Sequence, residues 1–276
     1  MESETDGEGN VTRYGYDRTG NLVKKEYADG SVEEITYTPL GQLSVIKGEE
    51  GETLCLYDDG GRLISVQEPN GDTVRYTYDE YGNRLSMTYP DGKTAKYFYD
   101  DMNRLIKVKG ADNRVTKYEY DELGRRVLTK GPKVDTSYEY DNVGNLVAQT
   151  STGAYDVSLA YTYDKAGRIT NEIRTENGTT LENSYIYDAI GQLKQWNDEH
   201  YSYDAVGNML TKGNIKYTYN AGNQLVSDGV DTYTYDRNGN LTQKGDVRYT
   251  YNARNLLESY VLMNIPKAIP TTLSVC

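Results

Sequence analysis

The chain has 276 residues, a formal net charge of −12, 29 tyrosines, one Phe, one Trp and one His. The acidic balance speaks against non-specific binding to nucleic acid or anionic membranes, and no apolar run reaches membrane-spanning length. Leu, Ile, Val and Phe together number 52, a composition that alone suggests disorder. The tyrosines argue the other way, because each ring buries a large amphipathic surface and suits a half-buried strand.

In chain order, the N-terminus MESETDGEGN is acidic and polar and has no secretory-signal character. Residues 1–10 read as a partial leading repeat, and Asp6-Gly7 to Tyr16 as the second half of a hairpin whose first half is missing. A repeat then follows thirteen times, with its register tyrosine at Tyr16, Tyr37, Tyr57, Tyr78, Tyr99, Tyr120, Tyr140, Tyr163, Tyr187, Tyr203, Tyr219, Tyr235 and Tyr251. Spacings of 20–24 residues run through 11–187, and spacings of 16 through 188–257. Residues 258–276 are a non-repeat tail.

Within each unit the positions have separate physical meanings. A second Tyr stands two residues before the register tyrosine in eleven units, replaced by Ile35 and Cys55 in the others. That spacing puts both side chains on one face of a strand. An Asp follows ten times, as in Asp17, Asp79, Asp141, Asp204 and Asp236, and can cap a turn by bonding the backbone two residues on. The fourth position after the tyrosine is Gly ten times, as in Gly20, Gly82, Gly144, Gly207 and Gly239, and Asn at 103, 223 and 255. Gly and Asn enter the left-handed region most cheaply, so this position is a turn residue with positive φ, not a ligand contact.

A second turn signal lies between these. Asp29-Gly30, Asn70-Gly71, Asp91-Gly92, Asn177-Gly178 and Asp228-Gly229 suit type I′ hairpins, and Gly213-Asn214 and Gly245-Asp246 suit type II′. Each repeat is therefore strand, hairpin, strand, then the Asp-x-x-Gly turn. Dropping five residues per repeat narrows the sheet by roughly 7 Å. So long a twisted sheet is expected to coil, tapering toward the narrow strands.

YDRTGNL from Tyr16, YDEYGNR from Tyr78, YDNVGNL from Tyr140, YDKAGRI from Tyr163 and YDRNGNL from Tyr235 carry a resemblance. The chain resembles the YD-repeat, or Rhs-repeat, family over about residues 11–257. Its relatives include Rhs polymorphic toxins, wall-associated proteins, toxin-complex C components and teneurins. The resemblance implies an all-β fold of tandem β-hairpin repeats forming a long, coiled, shell-like antiparallel sheet. It also implies a bacterial protein, secreted or at the cell surface, whose shell encloses or presents a polypeptide. The family's self-cleaving core motif and toxic domain are not found after Leu257, so neither self-cleavage nor toxicity carries over.

Chemistry finds little support in the residues. His200 is the single histidine and is expected on the surface of a short hairpin loop beside Glu199; Cys55 and Cys276 have no ligand-spaced partners. No catalytic residue, metal ligand or cofactor motif is assigned, and the chain is expected not to be an enzyme. A calcium loop is the alternative for the Asp-x-x-Gly turns, against one carboxylate per turn. The sequon matches at Asn10, Asn177 and Asn240 are expected by chance in a repeat rich in Asn and Thr. The functional expectation is a non-catalytic shell segment whose partner is an enclosed or adjacent polypeptide. The alternative is a surface module that binds carbohydrate or protein through its tyrosines.

Overall fold

The computed structural model describes residues 2–263. These contain 28 strands and no helix. Twenty-two strands join in one antiparallel sheet, with separate sheets of two and four strands. Cys276 lies outside the described residues, and Cys55 is half-buried as the single free thiol among those described.

Two compact units are present, one of residues 33–199 and one of 2–32 with 200–263. The first is an uninterrupted antiparallel meander from β4 (Val32–Tyr37) to β19 (Leu193–Trp196). Its strands alternate in burial. In β12 (Val115–Tyr120), Tyr118 and Tyr120 are half-buried while Lys117 and Glu119 are exposed. Period-two alternation gives each sheet a tyrosine face and a polar face. The residue between paired tyrosines lies on the polar face and often meets a hydroxyl across the ladder, as in Thr77–Ser86 at 2.6 Å and Thr162–Thr170 at 3.0 Å.

Very little is dry. Among the described residues only Ile35, Ala95, Ser31 and Ser151 are buried, and no large side chain is fully buried. One of these, Ile35, stands where most repeats carry tyrosine.

The hairpin turns correct one expectation. Asp29, Asn70, Asp91 and Asp228 do not have positive φ, whereas type I′ needs it at both central residues. In Tyr27–Ser31, Gly30 N–H donates to Tyr27 O at 3.0 Å and Tyr27 N–H to Ser31 O at 2.9 Å. This is a type I turn closed by a left-handed glycine, φ 85°. Asn177-Gly178, at 51° and 76°, has both residues in the type I′ region. Gly213 and Gly245, at 56° and 52°, have the positive φ that opens a type II′ turn. A dipeptide cannot distinguish two-residue from three-residue loops, because the flanking register decides between them.

The unit that holds the chain's first repeats has two features of its own. β1 (Glu2–Thr5) pairs with β2 (Val11–Tyr16) through the turn Asp6–Asn10, so residues 2–16 form a complete hairpin. This turn has the Asp-x-x-Gly-Asn chemistry without the tyrosines that mark the register, which is why sequence reading passed over it. It then meets the turn after Tyr235: Asn238 Nδ2–H donates to Asp6 Oδ2 at 2.8 Å across 232 positions, and Arg237 N–H donates to Glu8 at 2.6 Å. A Cβ on Gly7 would lie 2.2 Å from the Arg237 carbonyl oxygen, so glycine is required there by close approach. Arg254 docks likewise, 3.1 Å from Ser31 Oγ and 4.7 Å above the Tyr27 ring. Within this unit the turns of its first and last repeats are thus in direct contact.

Candidate functional site

The element repeated most faithfully is the junction between one repeat and the next. It starts with the aspartate. Asp79 Oδ1 accepts Tyr81 N–H at 3.0 Å and Asn83 N–H at 2.8 Å, while its other oxygen accepts Asn83 Nδ2–H at 2.9 Å. Asp17 does the same with Thr19 and Asn21, Asp141 with Val143 and Asn145, Asp204 with Val206 and Asn208, and Asp236 with Asn238 and Asn240. Gly20, Gly82, Gly144, Gly207 and Gly239 all have φ between 87° and 95°. At each register tyrosine the ladder slips by one residue, as at Thr77/Tyr78, which marks a bulge that adds local twist.

The tyrosines face backward along the array. Tyr78 O–H donates to Leu63 O at 2.8 Å, Tyr120 to Leu105 O at 2.7 Å, Tyr140 to Arg126 O at 2.8 Å and Tyr163 to Leu146 O at 2.6 Å. Each ring thus tethers its repeat to the preceding one. Tyr203 and Tyr235 are half-buried in the same position, whereas Tyr16 is 45% exposed. Tyr120→Phe is expected to lower stability by about 1 kcal/mol through loss of one hydrogen bond. Tyr16→Phe is expected to change it little, and urea unfolding of both variants checks the contrast.

The residue after the glycine is given no role by sequence reasoning. Where this residue is Arg, it clamps two repeats. Arg125 Nε–H donates to Asp121 Oδ2 at 2.7 Å, its Nη1–H donates to Asp141 O at 3.2 Å, and its guanidinium lies 4.8 Å from the Tyr140 ring centre. Arg62, Arg104 and Arg168 repeat the arrangement over Tyr78, Tyr120 and Tyr187. Where the residue is Asn, it can reach the next turn instead. Asn83, Asn208 and Asn240 donate to Asn103, Asn223 and Asn255, the three asparagines that replace the turn glycine. Those asparagines have φ 59–60° and also accept a neighbour's hydrogen bond. The available signal was pairing between repeats: each substituting Asn follows a unit with Asn after its glycine.

These bonds shift the turn carboxylates. Hydrogen bonds from the Thr19 side chain and Asn21 backbone bring Asp17 down from 3.8 to about 2. The Arg62, Arg104 and Arg168 backbone amides lead the lowering at Asp58, Asp100 and Asp164. A carboxylate depressed in the folded state contributes stability that is complete above its unfolded value and is lost as pH falls through its folded value. Stability is therefore expected to be flat down to about pH 4 and to fall steeply toward pH 2. Urea midpoints measured across that range check this.

The same bonds bear on the calcium alternative. Both oxygens of Asp17, Asp79 and Asp141 already accept protein donors. Among the described residues no three His, Cys, Asp or Glu side chains are grouped to hold a metal. His200 is exposed, but it lies within β20 (Glu199–Tyr203) and not in a loop, since the turn there is confined to Asn197 and Asp198. The amide nitrogens of Asn10 and Asn240, two of the sequon matches, are engaged with Asp6 and Asp236.

The model described as Teneurin YD-shell matches residues 41–169 and 160–265. The chain belongs to the teneurin YD-shell family. An RHS Repeat model matches residues 2–32, so YD and Rhs repeats account for most of this YD-shell chain. No curated protein matches it. Among solved structures, the TcdB2-TccC3-Cdc42 crystal structure is similar at TM-score 0.66 and 16% identity, covering 90% of this chain and 16% of that one. TcdB2-TccC3 gives TM-score 0.66 at 16% identity, with 92% and 16% covered. TcdB2-TccC3 without its hypervariable C-terminal region gives 0.61 at 14%, with 92% and 16% covered. The YD-shell chain thus shares a fold with part of these TcdB2-TccC3 structures and spans about a sixth of their length.

Proposed function

We propose that this YD-shell chain is a non-catalytic wall segment of a bacterial shell, secreted or delivered by contact, that encloses or presents a polypeptide. The observation that carries this reading is the tyrosine face. It is a single sheet layer whose rings are held at the hydroxyl end by the preceding repeat, yet no large side chain on it is fully buried. A face of fixed, half-open tyrosines offers adaptable amphipathic contact to a chain without fixed shape. The likeness to toxin-complex structures supports the same reading. So do the hydrogen bonds of the turn carboxylates within the junctions and of at least seven register tyrosines to the preceding repeat, which give these groups to architecture and not to chemistry.

The test uses reduced, carbamidomethylated ribonuclease, a permanently unfolded basic polypeptide, labelled with fluorescein. At 300 mM salt its anisotropy is expected to rise saturably with added YD-shell protein, while native ribonuclease gives no rise. Absence of binding, or equal binding of the native form, would sink the proposal.

A further inference from the structure

The polar face of the unit at residues 33–199 carries a lysine cluster that stability does not explain. On β10 (Thr94–Tyr99), β11 (Leu105–Lys109), β12 and β13 (Arg126–Lys130), lysines stand directly opposite one another. Lys96 faces Lys109, Lys107 faces Lys117, and Lys117 faces Lys130. Like charges directly opposed across a ladder are destabilising. Here three such pairs adjoin in a chain whose net charge is −12. Two carboxylates share the area: Glu119, 2.9 Å from Lys130, and Asp135, opposite Lys130. Lys96, Lys109 and Lys117 are exposed and, among the described residues, have no carboxylate within ion-pair distance. Apolar residues are interleaved: Phe98 faces Lys107, whose ammonium lies 3.6 Å from its ring centre, and Leu128 faces Glu119.

We infer that this lysine face is a binding site for an extended acidic polypeptide segment with interspersed apolar residues. Lys107 and Lys109 lie two apart on one strand, about 6.6 Å, which matches the same-face spacing of carboxylates on an extended peptide. Neighbouring strands repeat the charge every ~4.8 Å, so a segment in several registers meets a lysine. Phe98 and Leu128 give apolar side chains a place between the charges, which a phosphate or sulfate polymer does not use. The chain's net charge of −12 repels polyanions that extend far beyond the patch and so favours a short segment. The site lies on the face opposite Tyr118 and Tyr120 and does not depend on what the tyrosine face contacts.

The probe is a fluorescein-labelled twelve-residue peptide alternating Glu with Leu and Thr. At 50 mM salt it is expected to bind saturably and to weaken at least tenfold at 300 mM. The variant Lys107→Gln/Lys117→Gln should bind at least tenfold more weakly, with thermal stability equal or higher because opposed charges are removed. Lys165→Gln, in a turn away from the patch, should bind as the parent does. No saturable binding, unchanged affinity in the double variant, or tighter binding of heparin or a twelve-nucleotide oligothymidylate would each overturn the assignment.

Discussion

Replacing Arg125 by alanine is expected to lower the stability of the array by about 2 kcal/mol, among the largest effects of any single side chain on its surface. Three interactions leave together: the 2.7 Å contact with Asp121, the 3.2 Å bond to the Asp141 carbonyl and the stack on Tyr140. Arg125 and Asp121 keep only 29% and 22% of their side-chain surface exposed, so this pair is less screened than an open surface bridge. Lysine at 125 should recover part of the ion pair but neither the fork nor the stack, and so lose about 1 kcal/mol. Arg75 is exposed and lies outside the clamp; its alanine variant should stay within about 0.5 kcal/mol of the parent. Since repeat arrays depend on nearest-neighbour interfaces, Arg104→Ala combined with Arg125→Ala is also expected to broaden the urea transition. An Arg125→Ala midpoint matching that of Arg75→Ala would show that the clamp is not an energetic joint.

The second large effect is expected at the turn glycine. Gly144 has φ 95°, and a Cβ built there would meet nothing within 4 Å. Any cost of substitution is therefore conformational and not steric crowding by neighbours. Gly144→Val is expected to cost about 2 kcal/mol or more, since a branched side chain is poorly tolerated at positive φ. Gly144→Asn should cost well under half of that. Gly167→Asn should be better still, because Asn145 stands after the preceding glycine as Asn83 does before Asn103. Equilibrium unfolding of the three variants gives the order. A valine variant as stable as the parent would contradict the need for a left-handed residue.

Much of this architecture is legible in the sequence because repetition averages away local ambiguity. Eleven tyrosine pairs at a spacing of two define strand faces, and a position that accepts only Gly or Asn defines the sign of φ. Misreadings arose where one local pattern permits two loop geometries. Asp29-Gly30 is compatible with type I′ in isolation, yet the hydrogen bond from Tyr27 to Ser31 sets a longer loop with the glycine alone left-handed. The turn Asp6–Asn10 escaped notice because the register was sought through tyrosine, which that unit lacks. The clamp residue after the glycine is not legible in the sequence because its Arg and Asn forms share no obvious class until their reach toward Asp is seen.

By itself the sequence determined the repeat, its period, its alternating faces and the left-handed turn, since these depend on residues within a few positions of one another. The tertiary structure decided what those residues touch beyond their own repeat. Tyr120 reaches Leu105, Arg125 reaches Asp141, Asn238 reaches Asp6, and lysines from four strands share one face. The physical reason is register. A side chain's face follows from parity along its own strand, but its neighbour depends on the bulge and loop length of every intervening turn.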